Sequence, residues 1–112
     1  NMQAGLIAEE ANEFLQAAAD LEGAPNTPAN HIEVLKELAD VVFVCYQFAA
    51  AYGLDLDEAM ERVYQSNMSK LDDNGNPIYR DDGKVLKGPN YQKPDLYDLV
   101  PLSNLQYDTS GK

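Results

Sequence analysis

The chain has 112 residues, 45% of them hydrophobic, with 8 Lys and Arg against 19 Asp and Glu and a formal net charge of −11. That length holds one domain and hardly two, and the hydrophobic content excludes global disorder. The charge excludes groove binding to nucleic acid, whose backbone would repel it, and reads either as a solvated surface or as a cluster that awaits cations.

The chain opens at Asn1, without an initiator Met and almost directly in helix pattern, so natural residues are expected upstream. No signal peptide is visible. A first helix is predicted from about Gln3 to Glu22, stopped by Gly23 and followed by Pro25 and Pro28 in a polar loop. At about 100° per residue, Leu6, Ile7, Ala11, Phe14, Leu15, Ala18 and Leu21 form one apolar stripe. Glu10 falls inside that stripe, Glu13 at its border and Glu9 further round.

A second helix is predicted from Asn30, as N-cap with Glu33 three residues on, to about Tyr52, with Gly53 as its stop. Glu37 falls between the directions of Val44 and Phe48, and Asp40 lies about 60° away on the side of Gln47. Between 41 and 52 the helix is apolar nearly all round, which places it centrally in a bundle. The run Val41–Ala51 is too short to span a bilayer. Its Cys45, the single cysteine, reads as a core residue, and the lack of a pairing partner fits a reducing cytosol.

Asp55 and Glu58 repeat the cap pattern, and a third helix is predicted to about Leu71, with Ala59, Met60, Val63 and Tyr64 facing inward. Asn67 sits in that stripe, as a cap for a neighbouring helix or as a ligand contact, and Lys70 lies at its edge. Three helices on short loops predict an all-α, antiparallel helical bundle. Ile78–Arg80 and Val85–Lys87 flank Asp81-Asp-Gly-Lys84, a small hairpin with an Asp-Gly turn. The helical domain with its hairpin is expected over residues 1–96, with a tail over 97–112 whose last dozen residues are loosely attached.

Burying several carboxylates together is costly, because each loses hydration and like charges raise one another's pKa. Basic partners or metal ions relieve that cost. The first helix contains no Lys or Arg, and the second has only Lys36, about 40° from Asp40 and about 100° from Glu37. Metal is then the simpler remedy. Four oxygen donors, Glu10, Glu13, Glu37 and Asp40, with no His or Cys among them, select hard cations, Mg²⁺ or Mn²⁺. A solvated acidic face is the alternative.

These residues carry a resemblance. Glu9-Glu10-x-x-Glu13, followed by Glu37-x-x-Asp40, is similar to the acid signature of MazG-type all-α nucleoside triphosphate pyrophosphohydrolases. Ser66-Asn-Met-Ser-Lys-Leu71, Gly75-x-Pro-Ile-Tyr-Arg80, Asp82-Gly-Lys-Val-Leu-Lys-Gly-Pro-Asn-Tyr91 and Pro94-Asp-Leu96 resemble a MazG-like and phosphoribosyl-ATP-diphosphatase-like subgroup of bacteria and phages. The likeness covers about Leu6 to Leu96. It implies cleavage of (deoxy)nucleoside triphosphates to monophosphate and pyrophosphate, a Mg²⁺ requirement, a homodimer or homotetramer that completes the fold, and a cytoplasmic setting in a bacterial cell or phage-infected host. By position, Glu10, Glu13, Glu37 and Asp40 match the metal-binding acids. Glu9 matches the extra acid that orients or deprotonates the attacking water, and Asn67 and Lys70 match polar positions near the nucleotide. The segment that usually precedes the first motif is nearly absent.

That chemistry suits the residues. Metals on the four acids would screen a triphosphate, and Lys70, Arg80 or Lys87 would stabilise charge developing at the attacked phosphorus, whether α or β. Arg80 and Lys87 read equally as plain surface charges. Tyr91 either stacks on a base or anchors the tail. Asp72-x-Asn74-x-Asn76 is no calcium loop, since Pro77 holds the glycine position and Gly83 the final glutamate position. No phosphate-binding Gly-rich loop is present, and His31, the one histidine, reads as a surface residue. A phosphoribosyl-ATP diphosphatase and a non-catalytic acidic module that binds a cation or a protein stand as alternatives.

Overall fold

The computed structural model describes residues 1–100; the last dozen residues, expected to be a loose tail, lie outside the described residues. The chain is all-α in its framework, with α1 (Met2–Gly23), α2 (Pro28–Tyr52) and α3 (Leu56–Met68), a two-stranded hairpin β1 (Ile78–Tyr79) and β2 (Val85–Leu86), and a 3₁₀ turn at Tyr97–Leu99. It divides into two units, Asn1–Tyr52 and Gly53–Lys112. No helix among the described residues is long and apolar enough to cross a membrane.

In the first unit α1 packs on α2 as an antiparallel pair. Asn1 Nδ2 donates to the Tyr52 hydroxyl at one end, at 2.7 Å, and Asn30 Nδ2 donates to the Asp20 carbonyl at the other, at 3.2 Å. Asn1 also caps α1, its Oδ1 accepting from the Ala4 N–H. The start of α2 differs from the predicted one. The helix begins at Pro28, and the Thr27 carbonyl accepts from the Asn30 and His31 amides. Proline suits a first helical position, where its fixed φ is preorganised and its missing N–H would have no partner anyway. Asn30 is thereby inside the helix, and its side chain satisfies the end of α1. The apolar residues buried in this unit are Ala17, Val44 and Ala49, and Cys45 is half-buried beside them.

In the second unit Asp55 caps α3, with Oδ1 accepting from the Glu58 N–H as expected. The helix stops at Met68, earlier than predicted. Ser69 ends it by donating its hydroxyl to the Ser66 carbonyl at 2.6 Å while accepting from the Gln92 N–H, a local competition that favours helix ends. The inward side of α3 is also turned relative to the predicted one. Ser66 is buried and Ala59, Arg62 and Val63 half-buried, whereas Met60, Tyr64 and Asn67 are exposed. Arg62 explains the turn, because its guanidinium binds the Asp98 carboxylate at 2.6 and 3.1 Å and the Asp95 carbonyl at 3.0 Å.

The hairpin forms where the Asp-Gly turn places it, pairing Ile78 with Leu86 and Tyr79 with Val85. Gly83 has φ +91°, a left-handed value that glycine adopts without steric cost. Asp82 Oδ1 accepts from the Lys84 N–H across that turn.

Candidate active site

Glu10 and Glu13 lie one helical turn apart on α1, and the antiparallel pairing sets Glu37 of α2 opposite them. One carboxylate oxygen from each lies within 4.8 Å of the other two. Glu37 is 4% exposed, Glu10 is half-buried and Glu13 open to solvent. Glu10 Oε2 and Glu37 Oε2 are both shut off from water without a hydrogen-bond partner. Buried polar atoms are nearly always paired, so two orphaned anionic oxygens in one cluster mark a place where a further partner is expected.

The charges around the cluster are unevenly matched. The charge of Glu10, and then a hydrogen bond shared with it, hold the Glu13 carboxyl above the usual carboxylate range. Glu37 is held below that range, chiefly by a hydrogen bond from Lys36 that outweighs its burial. Lys36 Nζ lies 2.9 Å from Glu37 Oε1 and 3.3 Å from Asp40 Oδ2, which raises the Lys36 pKa in turn. Helix angles alone discount Lys36 as a partner for Glu37. Its flexible four-carbon stem spans the arc that the angles leave. One ammonium therefore serves Glu37 and Asp40, and Glu10 and Glu13 receive none among the described residues.

Of the four acids expected to hold metal, the structure gathers Glu10, Glu13 and Glu37, and sets Asp40, half-buried, on Lys36. Glu9 is exposed and outside the cluster. A cavity of about 420 Å³ adjoins the cluster, lined by Glu13, Gln16, Ala17, Asp20, Glu33, Lys36 and Glu37. Two of these, Glu33 and Lys36, are not singled out by the motif reading. Glu33, which the sequence offers as a capping residue, stands one turn before Glu37 and helps to lower its pKa by hydrogen bonding. The spacing i to i+4, Glu33 to Glu37 and Lys36 to Asp40, is the signal that pointed to both.

This donor set fits a hard divalent cation: three carboxylates, no softer ligand and two orphaned buried oxygens.

The remaining predicted residues all belong to the second unit. Asn67 is exposed. Lys70, Arg80 and Lys87 line one cavity, with Arg80 held by Asp82 through Nε to Oδ1 at 2.9 Å. Lys87 Nζ stands 4.8 Å over the ring of half-buried Tyr91, a cation–π contact. Asp72 Oδ1 accepts from the Asn74 and Asn76 amides, so it serves its own turn. His31 Nε2 lies 2.7 Å from the Pro25 carbonyl at the surface.

No curated protein matches the chain. A family profile described as phosphoribosyl-ATP pyrophosphohydrolase matches residues 2–67, a span that holds the three gathered carboxylates, Asp40 and Asn67. More than half of the chain is matched, and the chain therefore belongs to the phosphoribosyl-ATP pyrophosphohydrolase family, within the MazG-like superfamily.

Proposed function

We propose that the protein is a Mg²⁺-dependent pyrophosphohydrolase that cleaves (deoxy)nucleoside triphosphates to monophosphate and pyrophosphate. The observation that carries this is the trio Glu10, Glu13 and Glu37, with two buried unpaired oxygens, in a member of a pyrophosphohydrolase family. Glu10, Glu13 and Glu37 would hold Mg²⁺, or Mn²⁺, with Asp40 joining them on release from Lys36. A bound divalent ion supplies charge neutralisation and an acidified water. Glu9, exposed beside the cluster, is assigned to accepting a proton from the attacking water. Lys36 keeps Glu37 ionised and so keeps it ready as a ligand. Asn67, Lys70, Arg80, Lys87 and Tyr91 are assigned to the nucleotide, with the cations opposing the phosphate charge.

The family match favours a second substrate, phosphoribosyl-ATP, which carries the same triphosphate chain. Incubation of the protein with a panel of (d)NTPs and phosphoribosyl-ATP in Mg²⁺, with products resolved, separates the two. Pyrophosphate plus a monophosphate is the expected product pair, and the preferred base or ribosyl group names the substrate. A folded, full-length chain that turns over none of them would leave the reading of a non-catalytic acidic module.

A second copy of the chain is part of this proposal, as a homodimer or homotetramer. Ile32, Leu35, Val42 and Phe43 on α2 are 68%, 68%, 50% and 64% exposed. A stripe of that kind is normally covered. Light scattering at micromolar concentration tests it, with a monomer counting against it.

A further inference from the structure

We infer that the hairpin of the second unit carries an oligophosphate-binding site, with Lys84 as a ligand that the motif reading does not single out. The chain is strongly acidic, yet four of its 8 basic residues, Lys70, Arg80, Lys84 and Lys87, line one cavity of about 470 Å³ whose remaining wall is Val85 and Leu86. Two backbone devices bring them there. The Arg80 N–H donates to the Lys84 carbonyl at 2.7 Å, closing the turn, and the Gly88 N–H donates to the Lys70 carbonyl at 2.8 Å, tying the end of β2 to the turn after α3. The second contact is close: a Cβ at position 88 would stand 2.5 Å from the Lys70 carbonyl oxygen. The glycine thus sets Lys70 beside Lys87.

The cations differ in what already satisfies them. Asp82 engages Arg80, and the Tyr91 ring lies under Lys87. Lys70, Lys84 and Lys87 have no carboxylate partner among the described residues. Like charges that face one cavity repel, and a multivalent anion relieves the repulsion for all of them at once. Each phosphate group carries about one to two negative charges near neutral pH, so two or three linked phosphates match the basin in charge. A long polyanion does not suit a chain of net charge −11. The ligand chemistry is therefore a short oligophosphate, from free pyrophosphate or from the phosphate chain of a nucleotide. All residues of the basin lie after Gly53, and the inference deepens and rests on the proposed function, which assigns Lys70, Arg80 and Lys87 to the nucleotide.

The test is calorimetric titration of the full chain in EDTA at low salt. Inorganic pyrophosphate should bind saturably at one site per chain. Lys84→Glu with Lys87→Glu should weaken that binding at least tenfold with helicity kept. An α,β-methylene nucleoside triphosphate titrated in parallel names the source. Equal weakening of both ligands by the double variant gives the basin to the nucleotide's chain, and loss of pyrophosphate alone gives it to the free anion. No saturable binding, or a folded double variant that binds both as before, overturns the proposal. Because the titration needs neither metal nor turnover, its outcome is separate from that of the substrate panel.

Discussion

The two units of the chain divide its charge unevenly. Up to Tyr52 there are eight acidic residues and one Lys; from Gly53 on there are eleven acidic and seven basic. In the first unit, three carboxylates converge with two buried oxygens unpaired. In the second, several carboxylates have partners: Asp98 and Glu58 in Arg62, Asp82 in Arg80, and Asp72 in its own turn. Among the described residues of the second unit, Lys70, Lys84 and Lys87 have no carboxylate partner. The contrast is one of local balance, because the acidic residues of the second unit outnumber its basic ones.

The largest effect that would break this contrast is at Glu37. Glu37→Gln keeps the volume and removes the charge, and should lower turnover by about 10² to 10⁴-fold, the range for loss of a group that acts in the transition state. Circular dichroism should be almost unchanged. Mn²⁺ affinity, read by electron paramagnetic resonance, should fall with it, and Asp40→Asn should lower that affinity by less, because Asp40 lies outside the trio. Full activity in Glu37→Gln would mean that the acid cluster is structural.

Much of this site is legible in the sequence because helix periodicity is rigid. Glu10 inside an apolar stripe and Glu37 between Val44 and Phe48 are deductions from a fixed angle per residue, and the structure places both at or near burial. What is not legible depends on reach and on competition. Lys36 meets Glu37 because a flexible side chain is not confined to its helical direction. Asn30 is a good N-cap residue, but Pro28 and Thr27 start the helix first. The inner face of α3 follows Arg62, whose partners lie more than thirty residues on at Asp95 and Asp98, and no local pattern reports so distant a partner. The hairpin is legible because Asp-Gly turn chemistry is local; of the basin, Lys70, Arg80 and Lys87 are legible as phosphate contacts, whereas their meeting with Lys84 in one cavity is not, because the Gly88 to Lys70 contact that assembles it is a tertiary one.

Within the second unit, Gly88 should be the most sensitive backbone position. Gly88→Ala drives a Cβ onto two backbone oxygens, those of Lys70 and Leu71 at 2.5 and 2.8 Å. Overpacking of that kind costs about 1–3 kcal/mol, to be read as a lowered urea midpoint. If the contact also assembles the basin, pyrophosphate binding should weaken in the same variant. A neutral Gly88→Ala would show that the loop yields easily. Asp55→Ala removes the α3 cap and should cost about 1 kcal/mol, with pyrophosphate affinity kept because Asp55 lines no part of the basin.

The smallest effect concerns how firmly the second unit occupies its own acids. Hydrogen bonds from Arg62 hold the Asp98 carboxyl below the usual carboxylate range. A folded-state pKa below the unfolded one means that stability is fully present above the unfolded value, about 3.8–3.9, and is lost as pH falls through the folded value. Asp98→Asn should therefore lower the melting temperature at pH 7, and the gap to the parent chain should close as pH falls below about 4. Asp98 is 66% exposed at its side chain and Arg62 31%, so solvent screens the pair and the gap at pH 7 should be at most a few degrees. A gap that stayed constant down to pH 2 would mean that Asp98 acts by packing, and that the acids of the second unit are not held by charge.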